Sequence, residues 1–372
     1  MPRLRPLEES ASSGNGNTTN NYYYQQAPQP PKKGGFFKSL FVFFLVVFLI
    51  FAFLGGLIIL GIFGIVAITA SLEDLDTKSE KKVVETVRIA GDEENKVAVI
   101  DVKGIIARSK MSGVACSEKI VDLIDYVMEK KENYCALIID MDTPGGEVIA
   151  ADEIYGALRK LKKEDENFPV VTCMHSMGAS GGYYVAAATD YIIANRMTFT
   201  GSIGVIMSSY NISDLIGKIG VSEQVFRSGD MKDMMSPTRK MTEKERIYMQ
   251  NMINATFNEF AGIVANGREA YKTAEDVKAA PFGDGRVLSG AEALEYKLVD
   301  ELGGFDETVK YVQDKLGLEG MPKIVQLNKK DNFFDSLFEM RDKLPLQTSL
   351  VPGNSFMMKA GYLYFLLPTT TL

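Results

Sequence analysis

The spacing of hydrophobic and polar positions changes twice along the chain. From 39 to 71 it reads SLFVFFLVVFLIFAFLGGLIILGIFGIVAITAS, without a charge. About 20 apolar residues span a bilayer as a helix, so this run predicts one transmembrane helix with length to spare. A signal peptide's apolar region is only about 7–15 residues long, so the run reads as an uncleaved anchor. Beyond it the period shortens. Residues 97–106 (VAVIDVKGII) alternate as a strand does. Residues 117–131 have helical spacing, with Ser117 placed as N-cap. The apolar run 134–142 (YCALIIDMD) predicts a buried strand, 148–163 a helix, and 169–174 (PVVTCM) a strand. A helix rich in small residues starts near Ser180, and 191–195 (YIIAN) is a short strand. Thr242 and Glu245 stand in capping-box spacing at the head of a long helix over 243–271. Strands alternating with helices predict an α/β fold, a largely parallel sheet covered by helices.

This pattern divides the chain into five parts. Residues 1–38, rich in Asn, Gln, Pro and Gly and poor in aliphatics, predict a disordered tail. The helix at 39–71 follows, then a charged juxtamembrane linker at 72–94, a soluble domain at 95–320 and a C-terminal extension at 321–372. That extension ends in an apolar, aromatic run too short to span a bilayer. It reads either as a final strand or as a segment lying in a neighbour's groove like a product. Lys32, Lys33 and Lys38 flank the first side of the membrane run, against Glu73, Asp74 and Asp76 on the other. The nearest flank therefore favours a cytoplasmic N-terminus.

Composition removes several function classes. A net charge of −7 argues against nucleic acid as a partner. Three cysteines, Cys116, Cys135 and Cys173, give no disulfide framework and no C-x-x-C pair. The single histidine, His175, cannot build an ordinary zinc site, so no metal and no cofactor are expected.

Two glycine-rich turns carry the candidate chemistry, each following a strand, where open α/β sheets place their sites. In DTPGGEV, Pro144 fixes the backbone and Gly145 and Gly146 can turn amide groups toward a bound oxygen, as an oxyanion hole requires. In MGASGGYY, Ser180 sits where a helix begins, beside the amide of Gly181. A nucleophilic serine needs a base. His175 is one candidate, with a carboxylate completing a triad. A lysine kept neutral is the other, its pKa brought down from about 10.4 by burial or a positive neighbour. Spacing leaves Lys218, Lys232, Lys240 and Lys244 open.

The motifs DTPGGEV, SMGASGGYYVAAATDYIIAN, TGSIGV, SGDMKDMMSPTRKMTEKER and GRVLSGAEALEYKLVDELG stand in that order and cover most of the soluble domain. In this the chain resembles the signal peptide peptidase A family, membrane-anchored serine proteases with a Ser–Lys dyad. The resemblance implies a fold of the crotonase and Clp-protease type, made of repeated ββα units. It implies Ser180 as nucleophile, Lys232 as general base, Ser202 as the residue orienting that lysine, and Gly181 with Gly145 or Gly146 as oxyanion donors. It also implies a catalytic domain outside the cytoplasm, assembled into a ring-like homo-oligomer in which neighbouring subunits can complete each site. The expected activity is endoproteolysis of signal-peptide remnants and other apolar peptides at the cell membrane. A protease dedicated to one membrane protein is an alternative. So is an inactive scaffold or acyl-CoA-binding protein on the same fold, which the presence of both Ser180 and Lys232 disfavours.

Overall fold

The computed structural model describes residues 41–57, 60, 83–109, 111, 113–329 and the backbone of 364–366. Two units divide the chain, Met1–Ser79 and Glu80–Leu372. In the first, helix α1 runs over 41–57 and exposes most of its large apolar side chains. Among the described residues no helix is long and apolar enough to cross a membrane. The tail expected at 1–38 and most of the apolar run beyond α1 lie outside the described residues.

The second unit begins with β1 (Val83–Ile89), β2 (Asp92–Lys103), the short β3 (Ile105–Ala107) and β4 (Val114–Cys116), then α2 (Ser117–Glu129). Next come β5 (Ala136–Thr143), β6 (Gly145–Glu147) and α3 (Val148–Glu164). Strand β7 (Val170–Ala179) passes through Ser180 into α4 (Gly181–Ala186), followed by β8 (Tyr191–Ala194) and β9 (Phe199–Gly201). Helices α5 (Ser213–Lys218), α6 (Glu243–Gly267) and α7 (Ala274–Ala279) precede β10 (Val287–Ser289) and α8 (Gly290–Glu295). The order closes with β11 (Glu301–Leu302), α9 (Phe305–Leu316), β12 (Pro322–Lys329) and β13 (Tyr364–Leu366).

The main sheet has the order β1-β12-β2-β5-β7-β8-β11, with β9 pairing β7 and β10 pairing β9. From β12 to β11 neighbouring strands are parallel. Central strand β5 is buried almost throughout, as a parallel strand covered on both faces must be. On one face Leu137, Ile139 and Met141 pack with Ile124 of α2 and Ile154 and Leu158 of α3. On the other, Ala136, Ile138 and Cys173 meet Val309 and Val312 of α9. A second sheet, β13-β6-β3-β4, is built from the short strands. The successions β5-β6-α3 and β2-β3-β4-α2 each place short strands between a long strand and its helix.

Several expected boundaries move. Strand β1 lies inside the stretch expected as linker, pairing β12 antiparallel with Val87 opposite Val325. As an edge strand it is mostly exposed, and Glu85, Thr86 and Arg88 interrupt its apolar residues. Strand β12 lies inside the expected C-terminal extension yet pairs β2 in the middle of the sheet. The domain therefore reaches beyond 95–320 at both ends. The strand expected at 97–106 is two strands, because the chain turns at Gly104 with φ 85°. The long helix stops at Gly267 rather than continuing to 271. A Cβ on Gly267 would lie 2.1 Å from the Ala187 carbonyl, and Arg268 leaves the helix to reach Asp300 and the Lys297 carbonyl. Cys116 occupies the cap position of α2, and the Ser117 hydroxyl donates to Glu153 instead at 2.8 Å.

Candidate active site

Strand β7 runs to Ala179, past the strand end expected at Met174, and there pairs in parallel with Gly201 of β9. Ser180 follows with φ 54° and ψ −116°, a conformation that costs a non-glycine residue about 1–3 kcal/mol. Its side chain is fully buried, and among the described residues its Oγ has no hydrogen-bond partner. A buried hydroxyl left unpaired costs a further 1–3 kcal/mol or so. Backbone strain and an idle hydroxyl therefore coincide at one serine between a strand and a helix, the arrangement of a nucleophile elbow. Ser202 stands next to it. Its φ is 49°, it is buried, and its amide donates to the Arg286 carbonyl at 2.9 Å.

The two glycine turns meet. Thr143, the last residue of β5, pairs with Gly178 of β7, and Gly182 comes so close that a Cβ there would lie 2.6 Å from the Thr143 Cγ2. Gly145 has φ 98°, open only to glycine, and its amide donates to Thr143 Oγ1 at 3.1 Å. That donor is engaged within its own turn. Gly146 packs against β3, where a Cβ would meet the Ile106 carbonyl at 1.9 Å. Gly181 is the first residue of α4, so the helix offers its amide no internal acceptor. The described backbone of β13 pairs antiparallel with β6, Phe365 opposite Gly146, so the C-terminal run forms a strand on the glycine turn of its own chain.

The candidate bases are not brought to Ser180 within one chain. His175 lies inside β7, not at its end, on the face that Cys173 occupies. Its Nε2 is hydrogen-bonded to Asp140 Oδ1. Asp140, a fully buried carboxylate in the middle of an apolar strand, also accepts from Lys103 Nζ and Arg88 Nη1, each at 2.9 Å. Burial pushes the Asp140 carboxyl up, but the hydrogen bonds from His175 and Lys103 outweigh it and hold the group below its ordinary range. The hydrogen bond to Asp140 raises the His175 pKa against the opposing effect of burial. His175 thus has the carboxylate partner a triad would need, but Ser180 Oγ has no hydrogen-bond partner among the described residues, so the histidine does not reach the serine. Asp140, Cys173 and His175 each place one possible metal-ligating atom within 4.8 Å of the others. Lys103 and Arg88 already share that carboxylate, and the buried Cys173 thiol is pushed up to about 11, so the cluster is built as an ion pair and suits a cation poorly.

Lys232 is exposed in a run of turns between α5 and α6. Lys218 and Lys244 are exposed as well, and Lys240 faces Asp214 at 3.5 Å. The segment around Lys232 carries a row of uncovered apolar side chains, among them Tyr210, Leu215, Ile219 and Phe226, the last 95% exposed. Sequence reasoning missed Asp140, whose signal was a carboxylate inside YCALIIDMD. It also missed the ion pairs of Asp233 with Arg227 and Arg239, for which the sequence offers no spacing signal.

The profile of Peptidase family S49 matches residues 162–319. A candidate protease of Synechocystis is 36% identical over 260 residues, covering 70% of this chain and 84% of that protein. A candidate signal peptide peptidase SppA of Enterococcus faecium is 32% identical, covering 68% of this chain and 74% of its own. A candidate protease of Methanocaldococcus jannaschii is 32% identical over 57% of this chain and 65% of its own.

Proposed function

Since the chain belongs to peptidase family S49, the signal peptide peptidase A family of serine peptidases, we propose that it is a membrane-anchored endopeptidase with a Ser180–Lys232 dyad. The observation that carries this reading is Ser180 itself: strained, buried and with its Oγ unpartnered among the described residues. The neutral amine of Lys232 takes the Ser180 proton as Oγ attacks the scissile carbonyl carbon. The oxyanion that forms is held by the amide of Gly181 with that of Gly145 or Gly146. The C–N bond breaks, the leaving amine takes the proton from Lys232, and a water activated by the same lysine hydrolyses the acyl-enzyme. Ser202 orients the lysine.

Lys232 reaches Ser180 from a neighbouring copy. Its exposure, and the uncovered apolar side chains of the segment that carries it, support a homo-oligomer, ring-like and of the crotonase and Clp-protease type. The run at 39–71 anchors the chain in the cell membrane with the N-terminus cytoplasmic and the catalytic domain outside. The substrates are then apolar peptides at the membrane, signal-peptide remnants among them.

The test uses the full chain in detergent with fluorogenic apolar peptides. Ser180→Ala and Lys232→Ala are each inactive alone, and mixing the two after dissociation restores part of the activity, because some sites then pair an intact serine with an intact lysine. Activity in either single variant removes that residue from the mechanism. No recovery on mixing places both residues in one chain's site.

A further inference from the structure

Asp233, the residue after Lys232, is gripped by two guanidiniums. Arg239 meets it side-on, Nε on Oδ2 and Nη2 on Oδ1, both at 2.8 Å, and Arg227 Nη1 reaches Oδ1 at 2.6 Å. Arg239 Nη2 also donates to the Asp233 carbonyl at 3.1 Å. The same guanidinium engages Glu245, Nη1 on Oε2 at 2.9 Å and Nη2 on Oε1. Glu245 is buried and closes the capping box of α6, accepting from the Thr242 amide at 2.8 Å and the Thr242 hydroxyl at 3.0 Å. One planar cation thus links the first turn of α6 to the neighbour of Lys232. Bonds from the Lys232 amide to the Gly229 carbonyl and from the Ser236 amide to the Asp233 carbonyl, both 3.0 Å, keep this backbone tightly turned.

We propose that Arg239 is a positioning residue for Lys232. It ties the lysine's turn to α6, and it keeps the Asp233 carboxylate away from the lysine ammonium. The inference rests on the reading of Lys232 as the base. A carboxylate beside an ammonium raises its pKa, and a raised pKa leaves the base protonated at working pH. The charged groups around this turn are otherwise accounted for. Asp230 is exposed to solvent, Lys240 faces Asp214 of α5, and Glu243 of α6 pairs with Arg246. Lys244 is exposed, and Glu223 accepts from the Thr238 hydroxyl. The Asp233 carboxyl is held below its ordinary range, first by its hydrogen bonds from Arg239. A lysine at 239 would bring a single point charge and could not serve both Asp233 and Glu245 in this geometry.

The experiment measures kcat, KM and the pH profile of peptide cleavage for Arg239→Ala, Arg239→Lys, Asp233→Asn and the double variant Arg239→Ala with Asp233→Asn, beside Lys232→Ala. Arg239→Ala lowers kcat about tenfold to a hundredfold with little change in KM, since the base is misplaced. It also moves the pH inflection upward, because Asp233, then held by Arg227 alone, can turn toward the lysine. Asp233→Asn moves the inflection downward, because Arg227 and Arg239 are left without their carboxylate beside the lysine. In the double variant the inflection falls back to or below the wild-type value while kcat stays low, and Arg239→Lys recovers only part of kcat. A purely structural role lowers activity and Tm with one common inflection in every variant, and that result overturns the proposal. If Arg239→Ala does not fold, Asp233→Asn decides alone: a downward inflection supports the proposal and an unmoved one ends it. Activity in Lys232→Ala rejects the base and the positioning role together. An inactive Lys232→Ala beside an Arg239→Ala of wild-type kcat and inflection rejects the positioning role only.

Discussion

The amide of Ser180 donates to the carbonyl of Gly201 at 2.8 Å, and the residue after that carbonyl, Ser202, shares the positive φ of Ser180, 49° against 54°. Because Ala179 and Gly201 pair in parallel register, the two serines leave adjacent strands at the same level. Two strained non-glycine residues side by side persist only where the surrounding sheet over-determines them. The hydroxyl of Ser180 adds a second penalty that the fold does not relieve.

Ser180→Ala will therefore abolish cleavage without weakening the fold. Removing an unpaired buried hydroxyl gains on the order of 1 kcal/mol. In a domain of this size that is about 2–4 °C in Tm. Thermal unfolding beside the peptide assay checks it. A clear drop in Tm would mean that the Ser180 hydroxyl is a structural group after all.

The glycine turns were legible because Pro144, Gly145, Gly146, Gly181 and Gly182 punctuate apolar runs, and a turn that only glycine can make leaves that mark. The central strand and the helices α2 and α3 were legible because burial on one or both faces writes a period into the sequence. Strand β1 was not, since VVETVRI is an exposed edge strand and its charges look like those of a linker. His175 was misplaced because HSMG before a glycine-rich turn looks like loop, whereas pairing with β9 carries β7 to Ala179. The clamp on Asp233 had no signal either, because ion pairs formed across turns have no fixed spacing.

Asp140 and His175 give the fold a pH dependence that is separate from catalysis. The Asp140 pKa is depressed, so its contribution is complete above about 3.9, the unfolded value, and is lost as pH falls through the folded one. The His175 pKa is raised, so its contribution is complete below about 6.5 and is lost as pH rises through its folded value. The pair thus stabilises most between about pH 4 and 6.5. His175→Gln will lower Tm in that window, and the difference from wild type will shrink as pH rises through the folded His175 value. It will leave most of the cleavage activity. Asp140→Ala removes the carboxylate that His175, Lys103 and Arg88 share and lowers Tm, although Lys103 keeps Asp101. A Tm difference for His175→Gln that does not vary with pH would refute the assignment.

Strand β13 lies on the edge of β6 that carries Gly145 and Gly146. Extended peptides bind by adding a strand to an exposed edge, so β13 and a substrate compete for this one. Removing residues 364–372 will lower KM for extended apolar peptides by roughly three- to tenfold, by the fraction of sites that β13 otherwise fills, with kcat little changed. An unchanged KM would show that substrate does not use this edge.

The last prediction concerns the proton that Ser180 gives up. Lys232 is exposed in the single chain. A lysine base working near neutral pH needs a pKa about three units below the free value of about 10.4, worth about 4 kcal/mol at 1.36 per unit. Solvated turns do not supply that; burial against a neighbouring copy and bound substrate does. Activity will therefore rise with pH around an apparent pKa well below 10.4. On the proposed homo-oligomeric site, diluting the protein toward monomers will raise that apparent pKa and reduce kcat together. Lys232→Arg will be inactive at every accessible pH, since a guanidinium keeps its proton. An inflection near 6.5 that survives Lys232→Arg would assign the proton to His175 instead.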